Sequence, residues 1–403
     1  MRTYKNFVIL KINFVIAFVR FRRYNDDVNV RRGLFAFAEF LNGEITLKHG
    51  TVVESSRLFG GFNWPSVARL PDGRIAAVCS GFRLGHVCPF GKAVICYSSD
   101  EGLTWSAPAV AFDTPLDDRD AGIAVSGDRV VLTSFTNSRA FQRALAKRDY
   151  PEKERKLIEA YLDLVSDEDE KRYLGSTCAV SKDGGKAFGK VFLLPVSSPH
   201  GPCVKKDGSF YYLGRAFCEE FVTGGFAVNK LQWAESADGE EWSHPVDLPM
   251  PPEAEEGILF CEPHAVSLGE GKILAGLRAQ NGNGLFTIYT ALSRDGGRTF
   301  GAWKATGFDG APPHFFRHSS GAVILTYGRR IAPFGQRARV SFDDGENWSE
   351  EIVLRDDGLN WDLGYPATCE CSDGSLLTVY YQRKDGAKRT GIYYTKWELP
   401  PRA

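Results

Sequence analysis

The octet Ser98-Ser99-Asp100-Glu101-Gly102-Leu103-Thr104-Trp105 follows the pattern S-x-D-x-G-x-x-[W/F], and that pattern returns four more times. The copies run from Ser181 to Phe188, from Ser236 to Trp242 (one residue shorter), from Ser293 to Phe300 and from Ser341 to Trp348. One copy is ordinary hairpin chemistry, because Asp and Gly are what a tight turn asks for. Five copies in one chain imply an array of similar hairpins. Their aspartates and serines read as turn-satisfying groups and their glycines as residues in backbone conformations that others resist.

Working outward, each turn is preceded by a second recurring unit: an apolar strand, a polar turn and another apolar strand. The copies begin at Trp64-Pro65, Asp118-Arg119-Asp120, Pro199-His200, Glu262-Pro263-His264, Pro313-His314 and Gly364-Tyr365-Pro366. Six units of four antiparallel strands predict an all-β fold, a six-bladed β-propeller occupying residues 44–403. The sixth unit lacks the turn motif, so a strand within Glu44–Ser56 is expected to complete it and close the ring. The second turn motif arrives late. The excess, residues 138–173, reads as a helical hairpin inserted in blade two, with helices over Arg143–Lys147 and Pro151–Leu164. Such an insert either walls a pocket or decorates the surface.

Charge narrows the partners. Lys and Arg number 49 against 50 Asp and Glu, so the chain has no basic character to suit nucleic acid or an anionic membrane. Nine cysteines contain no C-x-x-C pair, and neither a metal nor a cofactor signature is present. Several lie in apolar strands, so they read as mostly reduced thiols, which favours the cytoplasm, with disulfides as the alternative. Residues 1–43 read as a poorly ordered extension. Val8–Val19 is too short to span a membrane, and Lys11 interrupts what would be the core of a signal peptide.

Propeller ligands bind over the central channel, where residues leading into the first inner strand meet those leaving the second. Leading in are Asn63, Trp64, Arg119, Asp120, His200, Glu262, His264, His314, Asp362 and Tyr365; leaving are Arg83, Arg215, Arg278, Arg329, Arg330 and Arg383. Each alone has a bland reading, a solvated strand-end Arg or a hydrogen-bonded His. Their shared register across blades points to one ligand surface.

From here the chain, over residues 44–399, resembles the sialidase superfamily, whose propellers carry Asp-box repeats. Cys261-Glu262-Pro263-His264 followed by Leu277-Arg278 is similar to that family's Glu-bearing strand and second carboxylate-binding Arg. Asp362-Leu363-Gly364-Tyr365-Pro366 is similar to the segment bearing its Tyr nucleophile. Arg337 is similar to its third Arg, with Arg329 competing for the role. The resemblance implies an exo-acting, retaining glycoside hydrolase acting on a glycan. In it Tyr365 attacks, Glu262 serves as its base, and arginines hold a substrate carboxylate. A neutral phenol suits an anomeric carbon that already bears a carboxylate, but its ordinary pKa of about 10 calls for a base at hand.

The chain departs from the pattern twice. Asn63-Trp64-Pro65 stands where the family has Arg-Ile-Pro, and the loop Arg83–Lys92 has no acidic residue to serve as acid. His86 is one candidate donor, and Asp118 or Asp120 is the rival, with Arg119 replacing the missing Arg. A plain salt-bridged turn is the alternative reading of Asp117–Asp120. A uronic or deoxy sugar as substrate of a glycosidase or lyase, or a propeller that only binds glycans, are the competing readings. Oligomeric state is not legible.

Overall fold

The computed structural model describes residues 9–12, 15–18, 45–56, 58–217 and 226–402. The chain separates into two units, Met1–Ile45 and Thr46–Ala403. In the first, Ile9–Ile12 pairs antiparallel with Val15–Phe18; the rest of the expectation for residues 1–43, and Cys218, fall outside the described residues. The other eight cysteines are free thiols, most of them buried.

The second unit is a six-bladed propeller of antiparallel sheets. Blade one runs Gly61–Arg69, Ile75–Arg83, Lys92–Ser98, Ala109–Phe112, and the later blades repeat that up-and-down order. Blade six combines Gly364–Glu370, Leu376–Gln382 and Gly391–Trp397 with Lys48–Val53 from the other end of the chain, in the register Thr395 opposite His49. This N-terminal strand covers what would have been a bare sheet edge.

The core lies between blades, and period-two alternation builds it. Ile75, Ala77 and Cys79 pack with Cys369, Leu377 and Val379 of blade six. Their neighbours Ala76 and Val78 face the other way, onto Ala121, Ile123 and Leu132 of blade two. A strand buried on both faces reads as a continuous apolar run, and each such Val, Ile or Leu contributes about 1.5–3 kcal/mol.

The repeated turns sit at the outer hairpins. Ser98 Oγ donates to Asp100 Oδ1 and accepts from Gly102 N, both at 2.8 Å, while Thr104 N donates to Asp100 Oδ1 at 2.8 Å. Gly102 has φ +85° and lies against Leu377 of blade six, so the turn also seats one blade on the next.

The insert contains three helices where two were expected: α1 (Arg139–Asp149), α2 (Glu152–Leu164) and α3 (Asp167–Tyr173). Ser138 caps α1 and Ser166 caps α3 through their hydroxyls. The third helix has no buried residue, so it lacks the apolar periodicity by which the other two are recognised. Tyr150 donates to Val87 O at 2.7 Å and Tyr161 packs on Phe90, so the insert buttresses the loop that carries His86.

Candidate active site

One backbone device recurs at the mouth of the channel. Trp64, Asp120, His200, Glu262 and Tyr365 all have positive φ, between 47° and 69°. In blades one, two, four and six the pairing register slips at this point, between Asn63 and Ser66, Arg119 and Gly122, Cys261 and His264, and Gly364 and Ala367. A bulge of this kind re-aims a side chain, and a non-glycine residue in the left-handed region costs of order 1–3 kcal/mol. Blade five has Pro312 at the corresponding place, and proline cannot take positive φ.

Two of these re-aimed side chains meet. The Tyr365 hydroxyl donates to Glu262 Oε1 at 2.5 Å, and Arg278 Nη1 donates to Glu262 Oε2 at 2.7 Å. Gln280 Oε1 accepts from Arg278 Nε at 3.0 Å and so fixes the guanidinium. Burial pushes the Glu262 carboxyl up, but Arg278, Arg330 and the Tyr365 hydrogen bond outweigh it, and its pKa lies below the ordinary value. Burial and the adjacent Glu262 charge raise the Tyr365 phenol well above its ordinary value, so it rests protonated. Arg330 lies 5.5 Å from the Tyr365 ring centre and donates through Nε to Leu363 O.

Asp120 occupies the same bulge position in blade two. Its Oδ1 is buried without a hydrogen-bond partner, and burial, with the Glu262 charge opposing Arg119, pushes its pKa up to about 7. Beside it, the Trp64 indole carries the Arg119 guanidinium at 4.1 Å and that of Arg83 at 4.7 Å. Arg83 is fully buried and donates to Asp117 Oδ2 at 2.9 Å; Arg119 donates to His86 O at 2.8 Å. His86 Nδ1 lies 3.3 Å from Asp362 Oδ1, which also accepts from Tyr381 at 3.0 Å. Desolvation and the nearby arginines outweigh Asp362 and lower the His86 pKa. Among the described residues no group of His, Cys, Asp and Glu is arranged to hold a metal ion.

No protein-family model matches the chain, and no curated protein sequence matches it. Solved structures do. A protein of unknown function from Dyadobacter fermentans aligns at 23% identity and TM-score 0.66, covering 88% of this chain and 99% of that one. NanB sialidase from Streptococcus pneumoniae aligns at 15% identity and TM-score 0.59, over 87% and 70% of the two chains. An alpha-L-arabinanase from Penicillium chrysogenum, complexed with arabinobiose, aligns at 13% identity and TM-score 0.58, over 87% and 98%. The fold is that of a sialidase-like propeller.

Within this sialidase-like propeller, several residues singled out from the sequence are engaged elsewhere. Arg337 is buried and donates to Glu351 at 2.9 Å and to the carbonyls of Gln336, Arg355 and Pro333. Arg329 lies 3.8 Å from the same Glu351. The guanidinium that blade five brings to Tyr365 is Arg330, and adjacent arginines at a strand end give no sequence signal for which one faces the channel.

The histidines are also occupied. His264 Nδ1 accepts from Phe315 N at 3.0 Å, His314 Nδ1 from Thr368 N at 3.3 Å, and His200 Nδ1 shares a hydrogen bond with Ser66 at 2.9 Å. Each bond joins one blade to another. The three rings sit 4.6–5.6 Å apart on the wall of a channel cavity of about 630 Å³. Asn63 is buried, with Oδ1 accepting from Thr390 at 2.9 Å. Gln280, Tyr381 and Arg330 complete the surroundings of the pair. Tyr381 closes the stretch Thr378–Tyr381 of the same last-blade segment that bears Tyr365, whereas Gln280 lies in strand text that carries no motif.

Proposed function

We propose that the protein is an exo-acting, retaining glycoside hydrolase of the sialidase type. The observation that carries this reading is the 2.5 Å hydrogen bond from Tyr365 to Glu262, whose second oxygen is held by Arg278. A propeller that only bound glycans would have no use for a buried phenol paired with a carboxylate of lowered pKa.

In this mechanism the Tyr365 oxygen attacks the anomeric carbon as its proton passes to Glu262. The glycosidic C–O bond breaks, and the leaving oxygen takes the proton of Asp120, whose pKa near 7 keeps it protonated at mildly acid pH. Water then attacks the glycosyl–tyrosine bond while Asp120 accepts its proton, and the departing phenolate recovers its own from Glu262. Arg278 steadies the base, and Arg330 is placed to meet an anionic group on the sugar. Asp120 is preferred to His86 as the acid because it shares the bulge geometry of Glu262 and Tyr365 and keeps an unpartnered oxygen.

A sugar other than sialic acid is the second reading, favoured by Asn63, whose carbonyl is tied to Thr390 where the family resemblance calls for an Arg. The test is hydrolysis of a fluorogenic α-sialoside alongside a panel of aryl glycosides. Release that disappears in Tyr365→Phe and Glu262→Gln supports the proposal, and the sugar released separates the two readings. Glycan binding without release from any glycoside overturns it.

A further inference from the structure

Beside the catalytic pair, between blades one and six, lies a cleft of about 130 Å³ lined by Asn63, His86, Asp362, Arg383, Lys388 and Arg389. A cavity of that size holds several waters and so has room for a charged substituent. Three of the six are cations. Asp362 is already engaged by His86 and Tyr381, and Arg389 has Glu154 of α2 at 3.7 Å. Asn63 spends its carbonyl oxygen on Thr390, so its remaining polar groups are N–H donors.

The decisive feature is Arg383, whose Nε is buried and has no hydrogen-bond partner. Leaving a buried donor unpaired is costly, more so for a charged group. Arg383, with Lys388 beside it, therefore gives the cleft unmet donor capacity and positive charge. Tyr381 links it to the catalytic pair: its ring is 6.0 Å from that of Tyr365, and its hydroxyl is 3.0 Å from Asp362. On the far side of His86, Trp361 is 59% exposed and offers an apolar platform.

We infer that this cleft binds an anionic substituent, a carboxylate or a sulfate ester, on the sugar unit neighbouring the one held over Tyr365 and Glu262. The substrate is then an acidic glycan at least two units long, its second ring lying against Trp361. This rests on the reading of Tyr365 and Glu262 as the reacting centre, but binding and hydrolysis test the two separately.

The experiment is calorimetric titration of the full chain at low ionic strength, where charge pairing is least screened. The probes are glucuronate and N-acetylglucosamine 6-sulfate, with glucose and N-acetylglucosamine as neutral controls. Both charged probes are expected to bind at least ten-fold more tightly than their neutral counterparts, and their ratio tells carboxylate from sulfate. Arg383→Gln is expected to weaken them at least ten-fold. Lys388→Gln, at an exposed position, gives the same readout should Arg383→Gln fail to fold. Equal binding of neutral and charged probes, or no effect of either substitution, overturns the inference. Titrating Tyr365→Phe reports whether the probes sit on the catalytic pair instead: unchanged affinity supports the cleft, and lost affinity overturns it. Failure to hydrolyse any glycoside counts against the catalytic reading alone.

Discussion

Tyr365 and Glu262 stand 103 residues apart in the chain, yet the phenol donates to the carboxylate at 2.5 Å, each presented by the same left-handed bulge on its blade. The pair is matched in chemistry as well as distance. The phenol is held protonated by burial, and the carboxylate is held ionised chiefly by Arg278.

Removing either member should separate catalysis from stability. Tyr365→Phe should lower kcat by at least ~10³-fold while leaving the fold intact, and Glu262→Gln by ~10²–10⁴-fold. Glu262→Ala should in addition destabilise the protein by about 3–5 kcal/mol, because the Arg278 guanidinium is left buried without its partner. Single-turnover kinetics and chemical denaturation of the three variants check this.

Asp120 sets the expected pH profile. As the acid it must be protonated, so kcat/KM should fall as pH rises through about 7; the acid limb should lie below the ordinary carboxylate value, where Glu262 takes up its proton. The stability sign runs the same way. The folded-state pKa of Asp120 is raised, so the folded protein binds more protons than the unfolded chain between about pH 4 and 7, and stability drops across that window as pH rises. Asp120→Asn should lower kcat/KM by ~10²–10⁴-fold, remove the fall near pH 7 from the residual activity and, at ~1.4 kcal/mol per pH unit, stabilise the protein at pH 8 by up to about 4 kcal/mol. Denaturation midpoints at pH 4 and pH 8 give the comparison.

Arg330 and Arg337 should behave oppositely. Arg337→Ala strips the bonds to Glu351 and three carbonyls inside blade five and should cost about 3–5 kcal/mol. Arg330→Ala should leave the melting temperature near that of the parent but raise KM for an anionic glycoside ~10–100-fold. Equal effects of the two on KM would contradict the placement of Arg330.

The outer turns should matter for stability alone. Gly102→Ala forces a side chain into a conformation with φ +85° and against Leu377, so it should cost about 1–2 kcal/mol and lower the melting temperature without changing kcat. Tyr150→Ala tests the insert. Losing the bond to Val87 O and the packing around Gly85 should loosen the His86 loop and raise KM, read by steady-state kinetics and proteolysis of residues 84–91.

By itself, the order of residues determined the architecture. A turn made of Ser, Asp and Gly satisfies its own backbone locally, and period-two apolar text needs only near neighbours, so six blades, the closing strand Lys48–Val53 and the helical insert were legible. The register they set also singled out Glu262, Arg278, Asp120 and Tyr365 as residues at the channel mouth. Which side chains meet there was decided only by the tertiary structure. Arg337 turned to Glu351, His264 and His314 to the backbone of the next blade, and Arg330 to Tyr365. Those outcomes depend on bulges, strand twist and long-range burial, all of which act between residues far apart in the chain and leave no local pattern to read.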